Sequence, residues 1–296
     1  MRGRIVIIAN PVSGSGKGLR LARAVSDLLQ AQGEAPEIAE TEAAGDARRI
    51  AEDSVTAATV VAVGGDGTVN EVLNGLAAGP ALAMIPGGTA NVLAKELGLP
   101  RDARGLARVL AEGRAIPWDL GVDRVSGRKF LLFASAGYDA HVVHLFHAAR
   151  KGPVRMWQYL WWGAKSILQF RAPRVGVELD GVSLGEAAWV IVSNVAAYGG
   201  PLVFTPRAKA DDGTFEVLVQ RGGSRFDVVK MFARAFTGWL SGDDLPLPGV
   251  SFHQARRVRL TSLDGAPVPL QVDGDPAGQL PADLELVPGG VRVLAP

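Results

Sequence analysis

The chain has 296 residues, 48% of them apolar, and a formal net charge of +1. That length can bury the core of two domains or one large one, the apolar fraction argues against wholesale disorder, and the near-zero charge argues against a nucleic-acid binder that relies on a broad basic surface. The absence of cysteine rules out a disulfide framework, a thiolate nucleophile and a Cys-ligated metal. Residues 4–9 read as a short β-strand, too brief for the core of a signal peptide, and run into the turn-rich loop 10–18. Leu21, Val25, Leu28 and Leu29 then recur at helical spacing. Residues 58–63 form a second apolar run, ending in Gly64-Gly65 and followed by a helical pattern over 69–77. Residues 81–85 form a third, ending in Pro86-Gly87-Gly88, with a helical pattern over 91–97. Strand, glycine turn and helix in repetition predict an α/β domain with an open, mostly parallel sheet. In such sheets ligands bind beyond the carboxyl ends of the strands, so the three glycine-rich turns are expected to converge on one site.

The pattern changes after about Gly121. Short alternating runs at 174–179, 188–193, 215–219, 257–261 and 269–273, parted by Gly, Pro and Asp turns, predict a C-terminal antiparallel β domain of sandwich type. Helical patterns interrupt it near 154–170 and 226–236. The most apolar segment, 156–170, holds Gln158, Lys165, Ser166 and Gln169, so no stretch approaches the roughly 20 apolar residues of a membrane span. These features predict a cytoplasmic protein with domains 1–123 and 124–296, the return of the last residues to the first domain being open. Any membrane contact is peripheral, at the inner face, and the cleft between the domains is the expected active site.

The sharpest motif is Gly64-Gly65-Asp66-Gly67-Thr68-Val69-Asn70-Glu71. Glycine lets backbone approach a polyphosphate with no Cβ in the way. The amides there, with the N-terminus of the next helix, favour negative charge. A bare carboxylate such as Asp66 would repel phosphate unless it meets a metal ion or accepts a proton. A tight strand-to-helix turn with Asp66 as N-cap is the plainer alternative. The loop Asn10-Pro11-Val12-Ser13-Gly14-Ser15-Gly16-Lys17-Gly18 looks like a P-loop but departs from G-x-x-x-x-G-K-[ST] at Pro11 and Gly18. It reads as a nucleotide loop of another class or as a flexible turn. Pro86-Gly87-Gly88-Thr89-Ala90-Asn91 again offers glycines, a hydroxyl and an amide at a helix start.

Taken together, NPVSGSGKG, GGDGTVNEVLNGL and PGGTANVLAKELGLP resemble the diacylglycerol kinase catalytic-domain family, which takes in bacterial lipid kinases and sphingosine kinases. The resemblance continues through Asp119-Leu120-Gly121, Ser135-Ala136-Gly137-Tyr138-Asp139, residues 194–216 and Val272-Asp273-Gly274-Asp275, in order along nearly the whole chain. It implies a fold like that of NAD kinase and diacylglycerol kinase, ATP as co-substrate and a lipid hydroxyl at the membrane surface as acceptor. It implies that Gly64, Gly65, Asp66, Gly67, Thr68, Val69 and Asn70, with Asn10, Thr41 and Thr89, hold ATP, and that Asp66 acts in or beside the phosphoryl-transfer centre. It further implies a structural Mg²⁺ site on 209–214, with Asp212 offering its carboxylate and Lys209 and Thr214 their backbone oxygens, a hard-oxygen set. An Asp-Asp-Gly hairpin turn is equally good chemistry for that segment.

Two departures stand out. Val92 follows the Asn of the third loop, where family members often carry Asp. Asp275 stands where the family places a Glu as proton acceptor. Asp is one methylene shorter, about 1.5 Å of reach, and a base misplaced by that much can lose a large factor in rate. A backbone shift or a bridging water would compensate.

Among the remaining features, His141, His144 and His147 sit at helical spacing, which suits solvated or core histidines better than a metal site with no acidic ligand in register. Trp157, Leu160, Trp161, Ala164 and Leu168 form an apolar helical face flanked by Arg155, Lys165 and Arg171. That face suits either a membrane interface or packing on the β domain. The rivals to a lipid kinase are a small-molecule kinase of the NAD-kinase type and a catalytically weak nucleotide- or lipid-binding protein. In the NAD kinases the Asn-Glu pair lies well downstream of the GGDGT turn, whereas Asn70-Glu71 follows it at once. The identity of the lipid and the oligomeric state, a homodimer included, are open at this level.

Overall fold

The computed structural model describes residues 3–11, 13–149, 156–199, 202–237 and 248–296, in two compact units. The first comprises Met1–Trp118 with Gly289–Pro296. Its elements are β1 (Ile5–Ala9), α1 (Lys17–Ala31), β2 (Glu37–Glu40), α2 (Asp46–Glu52), β3 (Thr59–Gly64), α3 (Asp66–Gly75), β4 (Ala81–Pro86), α4 (Val92–Glu96) and α5 (Ala103–Glu112). The strands pair in parallel in the order β2-β1-β3-β4. They are nearly continuous apolar runs because both faces are covered. Ile5, Ile7, Ala9, Val61 and Val63 meet Val25 and Leu29 of α1 and Leu106 and Leu110 of α5, while the alternate residues Val6, Ile8, Val60 and Ala62 are buried on the other side. The parallel sheet foreseen from the sequence is therefore present. β2 carried no apolar signal, since Glu37 and Glu40 flank a half-buried pair at the sheet edge.

β5 (Arg114–Asp123) leads into the second unit, Asp119–Pro288. There follow β6 (Lys129–Phe130), β7 (Phe133–Ala136), α6 (Tyr138–Ala149), α7 (Met156–Ile167), β8 (Val175–Leu179), β9 (Val182–Ala187), β10 (Trp189–Ser193), β11 (Ala197–Gly199), β12 (Leu202–Val203) and β13 (Phe215–Gln220). The remainder are α8 (Arg225–Thr237), β14 (Val250–Ala255), β15 (Arg257–Ser262), β16 (Pro269–Val272), β17 (Asp275–Gln279) and β18 (Ala282–Ala295). One antiparallel sheet runs β14-β13-β10-β7-β16-β17, and it faces a second built from β9, β8, β15 and the start of β18. Between them lies a core of Val190, Val192, Val217, Val219, Val177, Val258 and Leu284, with Phe130 stacked on Phe215 at 5.5 Å. This is the sandwich that the alternating runs predicted.

Strand β10 is buried along its full length, and the reason is a third layer. Its other face, through Trp189 and Ile191, packs with Leu218 against Tyr138 of α6, Trp162 and Ile167 of α7, and Val228, Met231 and Ala235 of α8. The predicted helices near 154–170 and 226–236 are present as α7 and α8; residues 154 and 155 lie outside the described residues. α6 is a further helix in the same layer, entered directly from β7 through Gly137.

Candidate functional site

In the first unit the carboxyl ends of β1, β3 and β4 lie side by side. Ala9 is paired with Val63, and Gly64 with Pro86. The register alone therefore brings the three glycine-rich turns together. After β1, a single 3-10 turn over Ser13–Gly16 leads into α1, with Gly16 in the left-handed region at φ +78. Thr41, buried just after β2, donates its N–H to the Ala9 carbonyl at 2.9 Å. Asn10 donates to Val63 at 3.2 Å and accepts from Ser13. Thr89 is exposed on the third turn.

Several of these glycines answer to one another before any ligand. A Cβ on Gly87 would lie 3.0 Å from the Gly18 Cα, and one on Gly88 would lie 2.9 Å from the Gly65 nitrogen. A Cβ on Gly64 would lie 2.7 Å from the Thr68 Cβ. Gly18, which breaks the P-loop pattern, is thus the residue that lets α1 approach the Pro86-Gly87-Gly88 turn. Backbone amides of different turns are packed together here as side chains would be in a core.

Asp66 opens α3, whose N-cap is Gly65. Its Oδ1 accepts the N–H of Leu93 at 3.2 Å, at the start of α4. Burial pushes the Asp66 carboxyl above its ordinary value, and the amides of Val92 and Leu93 pull it back. Asn91 shapes the same turn from φ +45, accepting the Gly88 N–H and donating to the Gly88 carbonyl, each at 2.9 Å. Of the GGDGT run, Gly65, Asp66 and Gly67 reach the surface, whereas Thr68, Val69 and Asn70 are buried. Asn74 donates to the Asn70 carbonyl and side chain at 2.8 and 3.2 Å. Glu71 accepts the Gly45 N–H at 3.1 Å and so steadies the loop after Thr41. Nothing in the motif reading had given Glu71 a partner.

In the second unit, Asp275 begins β17 and is held by its neighbours in sequence. Asp273, at φ +50 and buried, turns its carboxylate to three amides: Leu131 at 3.1 Å, Leu132 at 2.9 Å and Phe133 at 3.1 Å. Gly274 donates to Gln271 Oε1 at 2.9 Å, and the Gln271 amide group donates to Ser135 at 2.8 Å and to Tyr198 at 3.2 Å. The hydroxyls of Ser135 and Tyr198 both donate to Asp139. Burial pushes the Asp139 carboxyl up, against the pull of Ser135 and Tyr198. The motifs SAGYD and VDGD, about 135 positions apart, are thus one hydrogen-bonded network. Asp275 itself has the His147 ring of α6 at 3.5 Å from its Oδ1. His144 Nε2 lies 2.8 Å from the Leu270 carbonyl, and burial lowers the His141 pKa, with His144 adding to the effect. All three histidines are half-buried.

Residues 209–214 form a turn. Asp212 is exposed, and its Oδ1 accepts the Thr214 amide at 3.0 Å and the Thr214 hydroxyl at 3.1 Å. Asp119 donates its N–H to the Ala210 carbonyl at 2.6 Å and accepts the Gly213 N–H on its carboxylate at 2.7 Å. The Glu216 carboxyl is pushed up by burial; Arg207 and Ala208 oppose this and the Asp212 charge adds to it. Among the described residues no group of three or more His, Asp or Glu side chains is placed to hold a metal ion; a single carboxylate such as Asp212 with backbone oxygens is the kind of hard-oxygen donor Mg²⁺ takes.

The "Diacylglycerol kinase catalytic domain" family matches residues 4–122, and the "YegS C-terminal NAD kinase beta sandwich-like domain" family matches residues 133–295. A diacylglycerol kinase of Staphylococcus aureus (strain bovine RF122 / ET3-1) is 31% identical over 303 residues, spanning all of this chain and 93% of the relative. One from Staphylococcus carnosus (strain TM300) is 29% identical over 305 residues, spanning all of this chain and 96% of the relative. Among solved structures, a diacylglycerol kinase from Bacillus anthracis str. Sterne matches with a TM-score of 0.75 at 22% identity, over 99% of this chain and 97% of that one. An NAD kinase from Archaeoglobus fulgidus in complex with ATP matches with a TM-score of 0.53 at 14% identity, over 98% and 92%. These two likenesses are likenesses of fold.

Proposed function

The chain belongs to the diacylglycerol kinase catalytic-domain family, and from that premise we propose that it transfers the γ-phosphate of ATP to a hydroxyl of diacylglycerol or a related lipid. The observation that carries this reading is the meeting of three glycine-rich turns at the carboxyl ends of β1, β3 and β4, with Asp66 tied to the start of α4 among them. In this reading ATP lies over that surface. The amides of Gly64–Thr68 and the polar groups of Asn10, Thr41 and Thr89 meet its phosphates and nucleoside. Val69 and Asn70, being buried, keep the shape of the turn.

The lipid oxygen attacks the γ-phosphorus in line. The new O–P bond forms as the bond from phosphorus to the β,γ-bridging oxygen breaks, and ADP leaves. The hydroxyl proton passes to the Asp275 carboxylate, with Asp66 as the alternative acceptor. Such a reaction asks the protein mainly for positioning and charge stabilisation. Mg²⁺ arriving with ATP would neutralise its phosphates. A second, structural Mg²⁺ would be held by the Asp212 carboxylate and the backbone oxygens of Lys209 and Thr214, joining β13 to the loop before it. The enzyme then works from the cytoplasm and meets its lipid at the inner membrane face.

Radiolabelled γ-phosphate transfer tests this against a panel of diacylglycerol, phosphatidylglycerol, a sphingoid base, a polyprenol and NAD. Label on one lipid and not on NAD is the expected outcome. ATP binding without transfer to any acceptor would overturn it in favour of a binding protein, and label on NAD alone would point to a small-molecule kinase.

A further inference from the structure

Gln271 is an unusual residue for its place. It stands in β16 between Leu270 and Val272, which belong to the sandwich core, and is fully buried on the opposite face, toward α6. Strand pairing sets Ser135 of β7 beside it on one side and Pro276 of β17 on the other. A buried amide is stable only where both of its ends find partners. Here the two ends lead to different places, one to a fully connected polar cluster and the other to the turn before Asp275.

The amide can point only one way. The hydroxyls of Ser135 and Tyr198 have one hydrogen each, and both give it to Asp139 Oδ2. What they have left is lone pairs. The Gln271 NH₂ group supplies the hydrogens, at 2.8 Å to Ser135 and 3.2 Å to Tyr198. Its carbonyl oxygen is thereby turned toward the 273–274 turn, where it accepts the Gly274 N–H at 2.9 Å. An amide turned over would set oxygen against hydroxyls with no hydrogen to give, and NH₂ against an N–H. Asp139 therefore fixes the direction of Gln271, and Gln271 fixes the central peptide of the turn that presents Asp275. That turn is tight. Asp273 and Gly274 both have positive φ, +50 and +85, and Val272 pairs with Asp275 across them. Two residues leave little slack, so a rotation of the Asp273–Gly274 peptide is passed on to Asp275.

We propose that Asp139, Ser135, Tyr198 and Gln271 are positioning residues for the proton acceptor, holding the Asp273–Gly274 peptide so that the Asp275 carboxylate stands where the lipid hydroxyl gives up its proton. This rests on the lipid-kinase reading and on Asp275 as its base. Gln271→Met keeps the length of the side chain and removes both ends of the amide. Tyr198→Phe keeps the ring stacked on Phe133 at 4.2 Å and removes only the hydroxyl. Amide exchange followed by NMR should show Gly274 protected in the wild type and exchanging about tenfold faster or more in Gln271→Met. On the lipid that the wild type phosphorylates, Gln271→Met should lower kcat about 10–10²-fold and Tyr198→Phe about fivefold, with ATP affinity unchanged. In the Asp275→Asn background Gln271→Met should change kcat by less than about twofold, because with the base gone there is nothing left to position. A merely structural role would cost the same factor in both backgrounds. Tyr198→Phe, put through the same cycle, decides the matter if Gln271→Met does not fold. Equal losses in both backgrounds, an unchanged Gly274 exchange rate in Gln271→Met, or normal kcat in both variants beside a slow Asp275→Asn would overturn this inference alone. Normal turnover in Asp275→Asn would overturn it together with the assignment of the base, and a wild type that labels no lipid would overturn the functional reading and this inference with it.

Discussion

Replacing Asp273 should separate the support of the candidate base from the base itself. Its carboxylate accepts three buried amides, those of Leu131, Leu132 and Phe133, and its backbone sits at φ +50. Asp273→Ala leaves those amides without acceptors. A buried donor left unpaired costs roughly 1–3 kcal/mol, and alanine in the left-handed region adds about 1–2 kcal/mol. Water entry relieves part of this, so a loss of about 3–6 kcal/mol is expected, against a total of roughly 5–15 kcal/mol. Asp273→Asn tolerates the positive φ and keeps one acceptor oxygen. Since Leu132 and Phe133 share Oδ1 while Leu131 uses Oδ2, the amide should turn its oxygen to the pair and oppose Leu131 with an NH₂. About 1–3 kcal/mol is then expected. Urea unfolding followed by tryptophan emission reads this well, because Trp118 is the one tryptophan of the first unit. Asn should also lower kcat more than it lowers ATP affinity, since Asp275 lies two residues on. An alanine variant within about 0.5 kcal/mol of wild type, the range of an ordinary surface change, would refute the argument.

Asp275→Asn should reduce kcat by roughly 10²–10⁴-fold with little change in ATP affinity, and near-normal turnover would shift the role of base to Asp66; Asp275→Glu reports whether the turn has room for the longer acid. Gly88→Ala should abolish ATP binding in calorimetry, because its Cβ meets the Gly65 backbone, while Gly65→Ala, whose Cβ would lie 3.3 Å from the Gly88 Cα, should weaken it less; equal affinities in all three proteins would contradict the packing of the turns. Asp139→Asn should gain Tm relative to wild type as pH rises. Burial holds the Asp139 carboxyl above its unfolded value, so its contribution is complete below about pH 4 and is lost as pH climbs toward the folded value; a Tm difference that stays flat from about pH 4 to 8 would count against it. Asp212→Ala should remove the thermal stabilisation that Mg²⁺ gives the wild type, and a wild type that melts identically with and without Mg²⁺ would defeat the metal assignment.

Much of the architecture was written locally. Apolar β-rich runs ending in Gly64-Gly65 and Pro86-Gly87-Gly88, each followed by a helical period, are short-range signals, and they predicted β3, α3, β4 and α4 and the meeting of the glycine-rich turns at one end of the sheet. The alternating runs of the second half predicted its antiparallel sheets for the same reason. What escaped was too polar to carry a pattern, as in β2 with its two glutamates, while α6 showed only as the helical spacing of His141, His144 and His147.

The site divides along the same line. Chain order displays the glycines, Asp66 and Asp275 in their motifs. Only the folded chain decided what they touch. Asp66 reaches the amide of Leu93 in the next helix, Gly18 is explained by Gly87, Asp273 reaches back about 140 residues to the 131–133 backbone, and His147 meets Asp275. The apolar face read from Trp157, Leu160, Trp161, Ala164 and Leu168 is also resolved in part. Trp161 and Leu168 point outward while Trp162 and Ile167 pack inward, and the side chains of Trp157, Leu160 and Ala164 lie outside the described residues. Periodicity and turn chemistry are properties of neighbours along the chain, so the sequence displays them. Contacts between residues far apart in sequence leave no period behind, because any of many side chains could satisfy the same amide; which one does is settled by how the layers pack.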